Sequence, residues 1–505
     1  PLGISYHPET HNTGLAPYFR EHIRLKAKRI IKDNEILNEF GKPTNLYSDG
    51  LKIYTALDSR IQKHAEDAVT THLKNSLQAL LNKEIKRNKN WPFSNETSKK
   101  TRQNIINRAI KNSDRYKKLK AQGWSEEDIK ENFNMKQAIK VFDWKSKGQL
   151  KERQISPLDS ILYYKSILRA GLVAIDPHTG FIKAWVGGIN YRQFKFDCSS
   201  KAKRQVGSTI KPFVYAAAIE SGKITPCTTY PDIKYCIDIP FGELTKQWCP
   251  GGQKVYSGDQ VPVYFALANS QNNITAQVIK ETGGKNSRVV RYFKSMGLWN
   301  KSIEEVSSLG LGVCDLSVLN QTAAHCIFSN NGLFVEPISI VRIEDKYGNL
   351  IWEPKQEVKQ ILDPVTAFNV LKMMKGVSGV TNPITGARGG TARRLKGSKP
   401  YSFTEIMAGK TGTTQNNSDG WFLGHTPDLV TGVWVGAEDR SVHFKTTTNG
   451  QGANTALPIW GYFMKNVYKD KKIKINKADF IPPFEGMSTE IKCTFADQQS
   501  NNPWL

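Results

Sequence analysis

Three short groups of polar residues in this sequence could together perform acyl transfer if the fold brings them into one cleft. The first is Ser208-Thr209-Ile210-Lys211. The alanines and aromatics after Pro212 read as a buried helix, and proline is tolerated only near a helix start, so the helix begins close to Ser208. Lys211, one turn on, projects onto the same face, where its amine can reach the Ser208 hydroxyl. A hydroxyl is a weak nucleophile until a base takes its proton, and a lysine whose pKa is lowered by burial can be that base. Backbone N–H groups at the helix start can also stabilise an oxyanion. Alone the pattern is weak, because a capping serine followed by a solvated lysine is common.

The second group is Ser270-Gln271-Asn272, at a helix end or in a loop. Here a hydroxyl and an amide two positions apart can point the same way, one to relay a proton and the other to orient a substrate amide. The third is Lys410-Thr411-Gly412-Thr413 on a strand. The lysine supplies positive charge, Thr411 and Thr413 present hydroxyls on one face, and Gly412 lets a substrate backbone lie close. Such an edge suits a peptide with a C-terminal carboxylate.

The elements that must position these groups can be read in part. Gly171 to Ile175 and Phe181 to Val186 are strand-like runs joined by a turn at Asp176-Pro177-His178-Thr179-Gly180. The serine helix follows, ended by Gly222. Helical patterns recur near Val263 to Glu281, Leu316 to Asn330 and Pro364 to Gly376, and Val335 to Tyr347 reads as a strand. Three further strand signals come in succession, Thr404 to Thr413, Asp419 to Gly424 and Leu429 to Gly436, and their short connections imply antiparallel neighbours. This gives about five strands with helices from the middle of the chain, a mixed α/β class. Near the N-terminus Leu51 to Leu57 alternates like a strand, and a helix follows, capped by Asp58 or Ser59.

The chain has 505 residues, enough for two or three domains, with 39% apolar residues and a formal net charge of +25. That charge attracts anionic partners: nucleic acid, phospholipid headgroups or an anionic wall polymer. Lysine and arginine crowd Asn82 to Gln149 at helical spacing, which reads as a polar helical insertion with a solvated face or a face that meets anionic polymer. No basic or aromatic face with a nucleic-acid docking geometry is evident, so no nucleic-acid partner is expected. No apolar run is long enough to span a bilayer. Seven cysteines form no CxxC pair. Cys227, Cys236 and Cys249 lie close together, where one disulfide among them or buried thiols are the alternatives, while Cys198, Cys314 and Cys326 look like core or loop residues. His7 and His11 are the one close histidine pair, in a coil; neither a metal site nor a cofactor is expected.

The motifs SxxK, SxN and KTG in this order are a strong joint signal, the serine acyl-transfer set of penicillin-binding proteins and class A β-lactamases. From about Leu51 onward the sequence resembles the transpeptidase part of class A penicillin-binding proteins. Besides the motifs, the resemblance rests on Gly50 to Thr55 with Leu57-Asp58, the Asp176 to Gly188 hairpin, Arg204-Gln205, Trp248-Cys249-Pro250, Ser329-Asn330-Asn331-Gly332 and Ser418 to Phe422. His11 to Glu21 resembles the linker that follows the glycosyltransferase domain in such proteins. The resemblance implies a five-stranded, mainly antiparallel sheet packed by helices. The expected division is a linker at 1–60, a basic helical insertion or linker region at 61–155, which departs from the minimal family pattern, a transpeptidase domain at 156–470 and a tail at 471–505. The glycosyltransferase domain and membrane helix are expected to belong to a longer protein.

Carried over residue by residue, the resemblance implies that Ser208 attacks the penultimate D-alanine of a peptidoglycan stem peptide. Lys211 is its base, Ser270 and Asn272 serve the leaving group and the peptide amide, and Lys410 sets the electrostatics. Backbone N–H groups of Ser208 and Thr413 form the oxyanion hole, and Thr411, Gly412 and Thr413 bind substrate. The implied partners are donor and acceptor stem peptides, β-lactams and other wall-synthesis proteins, at the extracytoplasmic face of a bacterial membrane. A D,D-carboxypeptidase and a non-catalytic β-lactam sensor or wall-binding module are the rival readings. A class A β-lactamase is disfavoured, since no Glu-x-x-x-Asn occurs between Ser270 and Lys410.

Overall fold

A computed structural model describes residues 14–241, 244–251 and 255–493; the His7–His11 pair lies outside them. At its centre is a sheet of β1 (Leu168–Ile175), β2 (Ile182–Val186), β3 (Ala408–Thr413), β4 (Asp419–His425) and β5 (Val430–Ala437). The order is β3-β4-β5-β1-β2, antiparallel throughout, with Thr411 opposite Phe422, Trp421 opposite Trp434 and Val433 opposite Leu172. Every residue of β1, β4 and β5 is buried, because helices cover both faces. Their sequences are therefore mostly apolar instead of alternating, with Arg169, Asp419, His425 and Thr431 as buried exceptions.

Alternate residues still go to opposite sides. Leu172, Phe422, Val433 and Val435 join one core with α2 (Ser59–His72) and the C-terminal α8 (Leu457–Lys469). Val173, Trp185, Trp421, Leu423 and Trp434 join the other. That second core contains α3 (Lys211–Glu220), α6 (Val318–Ser329) and α7 (Pro364–Lys375). The helices lie close to the sheet where it carries glycine: a Cβ on Gly424 would stand 2.2 Å from Trp460 Nε1. The β1–β2 turn forms at Asp176 to Gly180, where Asp176 Oδ1 accepts from the His178 and Thr179 amides.

The ends of the chain are built into this body. α1 (Pro17–Asp33) buries Phe19, Ile23, Ala27 and Ile30 at helical spacing, and His22 stacks on Trp185 of β2. Strand Lys52–Thr55 pairs with Ile340–Glu344, nearly 300 residues on. Asp58, of the two candidates, caps α2 by accepting from the Arg60 and Ile61 amides. The expected boundary between 60 and 61 thus falls inside a helix packed on the sheet. At the other end, Phe480 is buried, Lys375 Nζ is 2.7 Å from Asp479, and Cys493 is bonded to Cys227, so residues 471–493 pack back instead of trailing.

The basic stretch forms three short helices, Lys99–Asn112, Asp114–Ala121 and Glu126–Asn134, each capped by a serine: Ser98, Ser113 and Ser125. The helical reading of this stretch misses a hairpin, Gln137–Phe142 with Leu150–Ile155. Few of its residues besides Val141 and Phe142 are buried, so its strands carry almost no apolar alternation to read.

The cysteines correct a second expectation. Cys236 and Cys249 pair within the cluster, but Cys227 takes a partner 266 residues away. Cys198, Cys314 and Cys326 are buried thiols.

Candidate active site

Ser208 stands in a 3-10 turn, Gly207–Ile210, that leads directly into α3 at Lys211. The turn is pressed against the end of β3. Gly207 has φ +54°, and a Cβ there would meet Thr413 O at 2.9 Å and Thr413 N at 3.2 Å. The residue just before Ser208 is therefore packed on the Thr413 backbone. Behind the turn, Arg204 Nε donates to the fully buried Asp419 of β4 at 2.6 Å, and Trp421 Nε1 donates to Gln205 O. Buried His325 hydrogen-bonds Thr209 O at 2.9 Å, and Gln321 donates to Thr209 Oγ1. These contacts hold the turn from three sides.

The second group sits at a break between two helices, α4 (Val263–Asn269) and α5 (Asn272–Glu281). Ser270 adopts φ +60°, ψ 32°, a left-handed conformation that non-glycine residues rarely take. The break turns two carbonyls toward α3. Lys211 Nζ donates to Ser270 O at 2.7 Å, Gln271 O at 3.2 Å and Asn272 Oδ1 at 2.7 Å. Among the described residues Lys211 makes no hydrogen bond to Ser208, so its amine is first of all anchored to the Ser270–Asn272 break. Asn272 Nδ2 donates to Gly251 O, beside the Cys236–Cys249 bridge.

Lys410 closes the group. From β3 its Nζ donates to Ser270 Oγ at 2.8 Å and to Thr411 O at 3.2 Å. Ser270 thus stands between two amines, taking Lys211 on its carbonyl and Lys410 on its hydroxyl. Both lysines are 0% exposed. Burial without a carboxylate disfavours the ammonium, bringing Lys410 down to about 7. Lys211 is held well below its ordinary value, first by burial and then by the Lys410 charge. A neutral amine beside the serine turn is a proton acceptor, and a partly charged amine on Ser270 is a donor.

Thr411 is buried and Thr413 is half-open. Thr413 Oγ1 accepts from the Gly452 amide at 3.0 Å. Gly412 has a packing reason besides the one expected. A Cβ there would meet Val206 O at 2.7 Å and Thr209 Cγ2 at 2.8 Å, so this glycine lets β3 pack on the serine turn.

Thr391, bonded to Thr411, and Asn269, next to the second motif, are further site residues that motif reading does not reach. Arg204 and Asp419 stood within stretches noted for family resemblance, but without a role. Among the described residues no group of three metal-ligating side chains occurs.

A helix carrying Ser-x-x-Lys, packed under an edge strand carrying Lys-Thr-Gly on a five-stranded antiparallel sheet, is the penicillin-binding-protein/β-lactamase-like transpeptidase fold. A family model described as "Penicillin binding protein transpeptidase domain" matches residues 170–439, over half of the chain, which belongs to that family. A second, "Penicillin-binding protein middle domain", matches residues 88–168. The basic helices, read above as an insertion, fall within that module.

Penicillin-binding protein 1A of Aquifex aeolicus is 34% identical over 300 residues, covering 59% of this chain and 38% of that protein. Penicillin-binding protein 1A of Rickettsia prowazekii is 28% identical over 506 residues, covering 91% of this chain and 58% of that protein. The chain thus spans well under two thirds of these curated relatives. Among solved structures, penicillin-binding protein 1A of Haemophilus influenzae shares the fold with a TM-score of 0.63 at 21% identity, covering 93% of this chain and 72% of that one. PonA1 of Mycobacterium tuberculosis, in complex with penicillin V, does so at 0.57 and 17%, covering 95% and 98%.

Proposed function

We propose that this chain is a D,D-transpeptidase that crosslinks peptidoglycan stem peptides through an acyl-enzyme on Ser208, where β-lactams block it. Lys211, neutral, takes the Ser208 proton as the oxygen attacks the carbonyl of the penultimate D-alanine. A neutral amine has two N–H donors for its three acceptors and keeps a lone pair for that proton. The backbone N–H groups of Ser208 and Thr413 receive the oxyanion, a contribution of about 10²- to 10³-fold per donor. Ser270, with Lys410 donating into its hydroxyl, hands a proton to the departing D-alanine nitrogen and is reprotonated by the proton that Lys211 took, so that Lys211 is neutral and Ser270 protonated again before the second half-reaction. Asn272 holds the peptide amide, and Thr413 of β3 supplies a hydroxyl for the terminal carboxylate.

D-alanine leaves and the ester stays on Ser208. An amine of a neighbouring stem then attacks the ester carbonyl, forms the amide crosslink and returns a proton to Ser208 Oγ through Lys211.

One observation carries this reading: two fully buried lysines meet on Ser270, with no carboxylate between them. Burying such a pair is costly unless at least one amine is neutral, and an activated serine uses a neutral amine. The two disulfides suit an extracytoplasmic, oxidising compartment, where the wall is assembled. Membrane attachment and contacts with other wall-synthesis proteins are proposed for the longer protein.

Intact mass after incubation with a penicillin tests the reading. One stable adduct is expected on the native chain and none on Ser208→Ala; an adduct that survives the substitution removes the nucleophile. Incubating a stem peptide with a labelled amine then separates transfer to an amine from transfer to water.

A further inference from the structure

The contact between Thr411 and Thr391 bears on how a substrate carboxylate is held, and it rests on the reading just given. A hydroxyl has one proton to donate. Thr411 Oγ1 donates its proton to Thr391 Oγ1 at 2.9 Å, and Thr411 is only 6% exposed. In this arrangement Thr411 can offer an incoming carboxylate nothing but lone pairs. Thr391 and Thr413 are both half-open. Each oxygen accepts one hydrogen bond, Thr391 from Thr411 and Thr413 from the Gly452 amide. Among the described residues neither hydroxyl has an acceptor for its own proton. A hydroxyl that accepts a hydrogen bond donates a stronger one.

Thr391 lies in a connection, yet its place is fixed. Its amide donates to Ala268 O at 3.1 Å, and the neighbouring Gly390 amide donates to Asn269 Oδ1 at 2.8 Å. Asn269 is held in turn by Phe265 O. A Cβ on Gly389 would stand 2.3 Å from Asn269 Nδ2, and one on Gly390 would stand 2.6 Å from Val377 O. The residue just before the Ser270–Asn272 group thus clamps the loop that brings Thr391 to β3.

We propose that Thr391 binds the C-terminal carboxylate of the donor peptide, and the carboxylate of a β-lactam, together with Thr413. Thr411 stands behind as a relay that polarises Thr391, and Asn269 is the positioning residue. The bond formed is a charge-assisted hydrogen bond from Thr391 Oγ–H to a carboxylate oxygen.

The test compares the rate of Ser208 acylation by benzylpenicillin with that by its methyl ester, in the native chain and in Thr391→Val, Thr391→Ser and Thr411→Val. Thr391→Val is expected to slow the acid by about 10- to 100-fold, the loss of one hydrogen bond to a charged acceptor. The ester should change by less than about three-fold. Thr391→Ser should restore the acid rate, and Thr411→Val should cost less than Thr391→Val. Asn269→Ala should raise KM for a D-alanyl-D-alanine peptide and slow acylation by the acid more than by the ester.

Equal slowing of acid and ester, or a larger loss from Thr411→Val than from Thr391→Val, overturns the proposal. If Thr391→Val fails to fold, the Thr391→Ser and Thr391→Ala pair decides by the same acid-to-ester ratio. Absence of any adduct on the native chain instead defeats the acyl-enzyme reading itself, a result that Thr391 variants cannot mimic.

Discussion

The cleft and the basic helices use lysine in opposite ways. Lys99, Lys100, Lys117 and Lys118 are exposed on helices that serines cap in the ordinary manner. Water solvates their charge, and a surface pair such as Lys120 with Glu126 contributes about 1 kcal/mol or less. In the cleft, Lys211 and Lys410 are fully buried, pair with no carboxylate among the described residues, and have a left-handed serine between them. Their burial has a cost, and what it yields is a proton acceptor and a donor. A third arrangement separates burial from chemistry: Lys165 is also buried, but Glu438 and Asp439 neutralise it at 2.5 and 2.7 Å, as in an ordinary structural ion pair.

The sharpest break of this contrast is Lys211→Ala, which should slow penicillin acylation toward about 10⁴-fold, the upper range for loss of a general base, as followed by stopped-flow or mass spectrometry. Retention of a tenth of the native rate would put the base elsewhere. Next comes Arg204→Ala, which takes its nearest cation from the buried Asp419 carboxylate and leaves it the Ser418 and Trp434 hydrogen bonds and Arg440 at 3.8 Å. Chemical denaturation should show a loss of about 1.5–3 kcal/mol, one hydrogen bond to a charged group, and acylation should fall as the serine turn loosens.

A third effect follows from three buried histidines and the half-buried His22. Burial lowers His22 and His72 to about 4 and His325 to about 3, and holds His425 well down, helped by its neighbour His325. Below about 6.5 the unfolded chain binds protons that the folded chain refuses, so the stability these groups contribute is complete above that pH. It is lost as pH falls toward 4 and then 3. Melting at pH 5 should come a few degrees below melting at pH 7.5; an unchanged Tm would mean that these rings accept protons in place. The smallest change is expected from Lys99→Glu with Lys100→Glu, which should stay within about 0.5 kcal/mol of the native stability and leave acylation untouched. A large loss there would give the basic module a part in the cleft's chemistry.

Much of the site could be read along the chain because its parts are short and local. SxxK needs one helical turn, SxN one helix break and KTG one strand, and the Asp176 to Gly180 turn announces its own hairpin. The Gln137–Ile155 hairpin left little trace, since almost nothing on it is buried. Thr391 left none: a threonine in a glycine-bearing connection becomes part of the cleft only because Asn269, more than a hundred residues earlier, holds that connection in place. The Cys227–Cys493 bridge was out of reach for the same reason, as no local rule says which distant thiol returns. That Gly412 also makes room for the serine turn was not legible, since the side on which a strand needs room depends on what packs there.

The residue types alone determined which groups could move a proton, where most of the helices and strands of the central sheet would form, and that the net charge is strongly positive, because these follow from side-chain chemistry and near-neighbour geometry. Tertiary structure alone decided that Lys211 is tied to Ser270 and that Lys410 shares that serine. It also decided that both lysines are fully buried. Proton affinity is set by surroundings, and those surroundings exist only once three segments distant in sequence have closed on one another.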